Sequence, residues 1–294
     1  MPGLKGIRNR IGSVLHIEKP FIRNFLAEFL GTAILVIIGD GAVAQVVTSR
    51  GAKGDFFTIN VAFAFAIAYG VYISGSVSGG HINPAVTLVM ATLGKTAWVM
   101  LPIYWAGQYL GAFFGASIVH WVYRAAILNF GKGGLYVEGE NATAGIFATY
   151  PAHFVTSWDG FVDQLVGTAI LLLAVLALTD EQNLSMPAHY APVIIGFVVG
   201  SIGMSFGYNA GFALNPARDL GPRLYTAVAG WGGKVFSFRD YDWFWVPIIG
   251  PHVGAFVGMA FYKLFVGLHW PKRVENEPHH EDEQIHLHKR PIPE

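Results

Sequence analysis

The tripeptide Asn-Pro-Ala is written twice, as Asn83-Pro84-Ala85 within SGGHINPAVT and as Asn215-Pro216-Ala217 within NAGFALNPARD. In each copy the Asn is placed to cap a helix, the Pro takes the first helical position where its missing N–H costs nothing, and a helix former follows. Both copies are therefore predicted to start helices. Each comes after a long apolar span and leaves only about ten residues before the next loop, so each helix covers roughly 15 Å, half of a bilayer's hydrocarbon core. Two such half-helices, entering from opposite faces and meeting at their caps, make up one extra membrane span.

The composition agrees with a chain that lives in lipid. Of its 294 residues 53% are hydrophobic and 13% charged, and the mean hydropathy is +0.45, far from a soluble domain. The formal net charge of zero gives no reason to expect a nucleic-acid partner. With no cysteine there is no disulfide, thiol chemistry or thiolate metal site, and neither metal nor cofactor is expected. No short apolar segment with a cleavage site precedes the first long span, which is expected to do the targeting itself.

Apolar spans are predicted at roughly 22–47, 57–77, 98–123, 161–179, 191–209 and 244–267, each near the length that crosses a bilayer. An even number returns both ends to one side. The arm before Pro20 carries Lys5, Arg8, Arg10 and Lys19, and the segment after the last span carries Lys263, Lys272, Arg273, Lys289 and Arg290, so both termini are assigned to the cytoplasm. The loop near 180–190 supports this less well, having no Lys or Arg on the same side. Three regions follow: an N-terminal arm (1–20), a membrane-spanning domain (21–268) and a solvated, disordered tail (269–294). His279, His280, His286 and His288 in that tail are read as solvated rather than metal-binding, since nothing fixes the imidazoles in one geometry. The loop from about 125 to 160 is then extracellular, and its Asn141-Ala142-Thr143 is a candidate N-glycosylation sequon.

The chain also repeats itself on a larger scale. AEFLGTAIL from Ala27 in the first span matches VDQLVGTAIL from Val162 in the fourth, and GAFFG from Gly111 in the third matches GAFVG from Gly254 in the sixth. The two Asn-Pro-Ala copies lie between these landmarks in each half. The unit (about 21–130, then 155–268) holds three full spans, an odd number, so the second copy lies inverted relative to the first. Inverted repeats place their shared site near the midplane, with broken helices pointing their N-termini at it. Gly111, Gly115, Gly254 and Gly258 are assigned to close helix packing. Glu28, an ionisable side chain in an apolar span, is expected to face inward and brace the backbone of a re-entrant loop, with the uncharged Gln164 as its repeat mate.

Half-helices meeting cap to cap bring positive dipole ends and the amides of Asn83 and Asn215 to the membrane centre, which repels cations and protons. Neutral hydroxylic solutes can take hydrogen bonds from the two Asn, and unwound backbone before each cap (Ser78 to Ile82, Tyr208 to Leu214) offers carbonyl acceptors.

HINPAV and NPARD, the inverted three-plus-three repeat and AEFLGTAIL resemble the aquaporin family over about residues 20–268. Asp219, Arg223 and GIFATYP at 145–151 are similar to its glycerol-conducting branch, the aquaglyceroporins. The resemblance implies an all-α fold of six transmembrane helices plus two half-helices, a passive channel for glycerol and water in the plasma membrane, and a homotetramer with one pore per subunit. It also implies a constriction formed by Phe63, Gly203, Phe212 and Arg218, matched by their spacing from the two boxes. Gly203 stands where water-selective members carry His, which implies a wider and more apolar opening. Asp219 is a candidate pore-lining residue. His81, two residues before Asn83, is read first as a neutral brace and second as a pH-sensitive element, with His153 a weaker candidate.

Two other classes compete with a channel. A coupled carrier also uses inverted repeats and broken helices, but few membrane-embedded acids are available to couple ions. A junction or scaffold protein keeps the fold and conducts little. An enzyme is disfavoured, because no nucleophile, base and orienter set falls within the spans.

Overall fold

Asn83 and Asn215 each end an unwound segment and start a helix, and the rest of the architecture is built around those two starts. A computed structural model describes residues 12–271 apart from 14, 185 and 186. Its principal helices are, in chain order, α1 (Pro20–Thr48), α2 (Phe56–Ser78), the short α3 (Pro84–Thr92), α4 (Leu101–Phe130), α5 (Ser157–Thr179), α6 (Ala191–Ala210), the short α7 (Pro216–Thr226) and α8 (Val246–Tyr262). Six of these are long and apolar enough to cross a membrane. The fold is an all-α membrane protein of six spanning helices and two half-helices, in two inverted halves. Lys5, Arg8, Arg10 and the basic and histidine-bearing tail from Lys272 onward lie outside the described residues.

The ends of the spans depart from the sequence expectation for local reasons. Helix α4 runs on to Phe130 rather than stopping near 123, because Arg124 and Asn129 end an apolar stretch without ending a helix. Helix α5 starts at Ser157 rather than 161, since Thr156 and Asp159 form a reciprocal capping box there. A second such box, Asp55 with Thr58, starts α2, and the Thr58 N–H holds the Asp55 carboxyl below its usual range. The last span is α8 followed by a wide turn over Lys263–Gly267. Since α2 reaches Ser78 and α6 reaches Ala210, the unwound segments shrink to 79–82 and 211–214.

Helix α1 packs along α4 and α5 along α8, and both contacts are backbone to backbone. A Cβ on Gly111 would strike the Phe29 carbonyl, and one on Gly115 would lie 2.8 Å from the Ala33 carbonyl oxygen. In the second half a Cβ on Gly254 or Gly258 would strike the carbonyls of Leu165 and Ala169. Without a hydrophobic force between helices in lipid, such close approach is what holds them together. The half-helices lean on the opposite repeat, α3 on α8 and α7 on α4, which locks the two halves together.

Candidate functional site

The caps of α3 and α7 meet in a reciprocal grip. Each Asn uses its Oδ1 at home, accepting from the backbone N–H two residues on: Ala85 for Asn83 at 2.9 Å and Ala217 for Asn215 at 3.0 Å. Each then sends its amide across, Asn83 Nδ2 donating to the Leu214 carbonyl at 2.9 Å and Asn215 Nδ2 to the Ile82 carbonyl at 2.7 Å. Ile82 and Leu214 sit in the left-handed region, with φ of 42° and 52°, a conformation that costs a branched side chain about 1–3 kcal/mol. Their carbonyls are gripped by the opposite Asn, and their N–H groups are held from the spanning helices. One N–H of each Asn amide is left over for a solute.

Those holds come from Glu28 and Gln164, and the two loops ask for different chemistry. Around Glu28 there are four donors: Ser78 Oγ (2.5 Å) and His81 N (3.0 Å) donate to Oε1, while Ile82 N (2.7 Å) and Gln108 Nε2 (2.7 Å) donate to Oε2. Around Gln164 there are a donor and two acceptors: Leu214 N donates to Oε1 at 3.1 Å, and Nε2 donates to the Gly211 carbonyl and to Asp163 Oδ2, both at 3.0 Å. A carboxylate is acceptor-only and an amide is both, which accounts for acid in one repeat and amide in the other.

A cavity of about 250 Å³ passes between the caps. Its apolar wall uses four-residue spacing on spanning helices: Phe63, Ile67 and Val71 on α2, and Leu171 and Val175 on α5. Its other wall is the unwound backbone at 79–82 and 213–214 with Asn83 and Asn215. Among the described residues, no protein donor reaches the carbonyls of Gly80, His81 or Ala213, which leaves acceptors for hydroxyl groups. Lys95 and Thr179 line one end.

Phe63, Phe212 and Arg218 close the other end. The two rings stand edge to face, 5.2 Å apart at 81°, and the Arg218 guanidinium carbon lies 4.9 Å from the centre of the Phe63 ring. Arg218 Nη1 donates to the Phe147 carbonyl at 2.7 Å, and Nη2 lies 3.0 Å from Asp40 Oδ1. A single guanidinium carries five donors, so several N–H groups remain available.

Two residues assigned from the sequence do not face this cavity. Asp219 is fully buried and not pore-lining: its Oδ2 accepts from Thr149 N at 2.7 Å and Thr149 Oγ1 at 2.5 Å, and its Oδ1 accepts from Arg223 Nε at 2.9 Å. It ties the long loop to α7. Gly203 is also outside the lining, because the Phe212 ring and the Asn60 side chain fill the space above it; a Cβ there would stand 3.0 Å from two Phe212 ring carbons and strike Asn60 Oδ1. Gly203 therefore makes room for Asn60 and Phe212 rather than for solute. Gly203→Ala is expected to push the ring toward the lumen and lower glycerol flux more than water flux. An unchanged ratio in stopped-flow light scattering would remove this account.

His81 does line the cavity, its Nδ1 3.2 Å from Thr87 Oγ1 and its ring 5.0 Å from that of Tyr104. His153 is exposed on the loop and is not among the lining residues. Asn141 is half-buried at a turn, while the sequon's Thr143 is buried and accepts from Trp231 Nε1 at 3.1 Å. Sequence reasoning gave Asp40 no role, although an ionisable residue inside the first apolar span was itself a signal.

The chain matches the family model described as major intrinsic protein over residues 16–262. It is 47% identical to Aquaporin-10 of Milnesium tardigradum over 287 residues, covering 93% of this chain and 70% of that protein. It is likewise 47% identical to Aquaporin-9 of Homo sapiens, covering 88% of this chain and 87% of that one. Among solved structures it is similar to the aquaglyceroporin from Plasmodium falciparum, with a TM-score of 0.75 and 32% identity over 84% of this chain and 98% of that one.

Proposed function

The chain belongs to the major intrinsic protein family, and on that premise we propose that it is a passive channel conducting glycerol and water while excluding ions and protons. The observation that carries this reading is the two-sided cavity, with aromatic and aliphatic side chains on one wall and unpaired carbonyls, two Asn amides and Arg218 on the other. Glycerol has carbon along one edge and hydroxyls along the other, and it fits that division. Phe63 and Phe212 take the carbon edge, and Arg218 donates to the hydroxyls as they pass. Water follows the same acceptors, and other small neutral solutes such as urea are candidates.

Ion exclusion at the membrane centre has two sources in this reading. The N-termini of α3 and α7 present their positive dipole ends where the caps meet. The caps also orient the central donors toward the solute. The protein acts as a channel rather than an enzyme, as a homotetramer in the plasma membrane with both termini in the cytoplasm. The basic residues flanking the first and last spans support that orientation.

The test is stopped-flow light scattering of proteoliposomes under glycerol and sucrose gradients. The expected result is fast shrinkage in both and fast re-swelling in glycerol alone. Shrinkage without re-swelling would mean a water-selective pore, and no acceleration over empty liposomes would overturn the channel reading.

A further inference from the structure

Arg218 is not held by α7 alone. Its guanidinium is fixed by two polar contacts, the Phe147 carbonyl from the long loop and the Asp40 carboxylate from α1. Asp40 is fully buried and does not line the cavity. Among the described residues the ion pair with Arg218 is its sole hydrogen-bond or ion-pair contact, and no backbone N–H or hydroxyl reaches either oxygen. That sets it apart from Glu28 on the same helix, whose two oxygens take four donors and hold a loop.

A buried carboxylate in an apolar span is expensive and persists only when paired. Here the pairing caps no helix and holds no turn; it ties α1 to α7 through the guanidinium, and its effect falls there. The preceding residue points the same way. Gly39 seats Phe63, since a Cβ at Gly39 would come within 2.6 Å of Phe63 Cζ. Adjacent residues of α1 thus set the aromatic wall and the cationic wall of the constriction together.

Resting on the channel reading above, we infer that Asp40 is a positioning residue that determines specificity: it draws the Arg218 guanidinium toward α1 and balances its charge, keeping the lumen open to a polyol. With Asp40 neutralised, the guanidinium keeps only the Phe147 anchor and carries an unbalanced charge. It then leans into the space that the carbon chain of glycerol uses. Water, being smaller, is hindered less.

The experiment measures glycerol and water permeability per reconstituted molecule for the wild type, Asp40→Asn, Arg218→Val and the double variant. A wild type that conducts no glycerol would sink the channel reading itself, apart from anything said of Asp40. Given a conducting wild type, Asp40→Asn is expected to lower glycerol permeability about tenfold and water by no more than about threefold. An unchanged ratio, or a proportional fall in both as a merely structural role would give, overturns the inference. Should Asp40→Asn alone fail to reconstitute, the pair of variants lacking Arg218 decides. Because Asp40 acts through Arg218, adding Asp40→Asn to Arg218→Val is expected to leave the glycerol to water ratio within about twofold, and a larger change overturns the proposal.

Discussion

Glu28→Ala is expected to yield little folded protein and no glycerol flux from what remains. The substitution takes the acceptor from four groups at once: the Ser78 hydroxyl, the His81 and Ile82 N–H groups and the Gln108 amide. Each buried donor left unpaired costs about 1–3 kcal/mol. Several together reach the scale of a whole protein's stability, about 5–15 kcal/mol. The loss is also badly placed, because Ile82 holds a left-handed backbone that its N–H and its carbonyl must both pin. Once released, Ile82 is free to relax, its carbonyl turns from Asn215, and the grip between the caps opens from both sides.

Glu28→Gln separates charge from shape. The amide keeps one acceptor oxygen but points N–H₂ at two donors, so an intermediate loss of thermal stability is expected. The reverse exchange in the other repeat, Gln164→Glu, is expected to destabilise too, since it sets a carboxylate against the Gly211 carbonyl that Gln164 Nε2 now serves. Unfolding midpoints in detergent, read by size exclusion after heating, together with flux, check all three. Glu28→Gln with wild-type midpoint and flux would show that the four donors are satisfied in some other way.

How much of this was legible in the sequence follows from the range of each interaction. The helix starts at Pro84 and Pro216 depend on the neighbouring Asn and on proline's own geometry, so they can be read locally. Spans depend on the length of apolar runs, which locate the bilayer but not the helix end, hence the extra turns at Phe130 and Ser157. Close packing at Gly111 and Gly254 was readable because the repeat writes it twice. Gly203 shows the limit: spacing found the position, but what fills the space above it comes from Asn60 on α2 and Phe212 beyond α6. Asp219 misled for a similar reason: Arg223 lies one turn further along α7, but Thr149 reaches it only by the path of the long loop. Asp40 carried a signal, a charge within an apolar span, yet its partner is remote in sequence and only the fold brings the two together.

Arg218→Val is expected to widen the range of solutes that pass and to admit cations, by two mechanisms that can be measured separately. The first is bulk. Removing a guanidinium that faces Phe63 at 4.9 Å enlarges the narrow end of the cavity, so five-carbon polyols should cross proteoliposomes at rates wild type does not reach. The second is charge. Losing Arg218 also takes the positive charge of the guanidinium away from the edge of the lumen. At an effective dielectric constant near 20, a unit charge about 6 Å away contributes about 3 kcal/mol, roughly a hundredfold in cation occupancy. That repulsion adds to the one from the positive ends of α3 and α7 in the wild type. A pH-sensitive dye inside the liposomes should therefore report faster proton entry in Arg218→Val. The double variant with Asp40→Asn should leak protons and pass larger polyols as Arg218→Val does, since Asp40 acts through Arg218. Equal proton entry in wild type and Arg218→Val would place ion exclusion with the half-helix dipoles at Asn83 and Asn215 alone, and would leave Arg218 a role in sorting solutes by size.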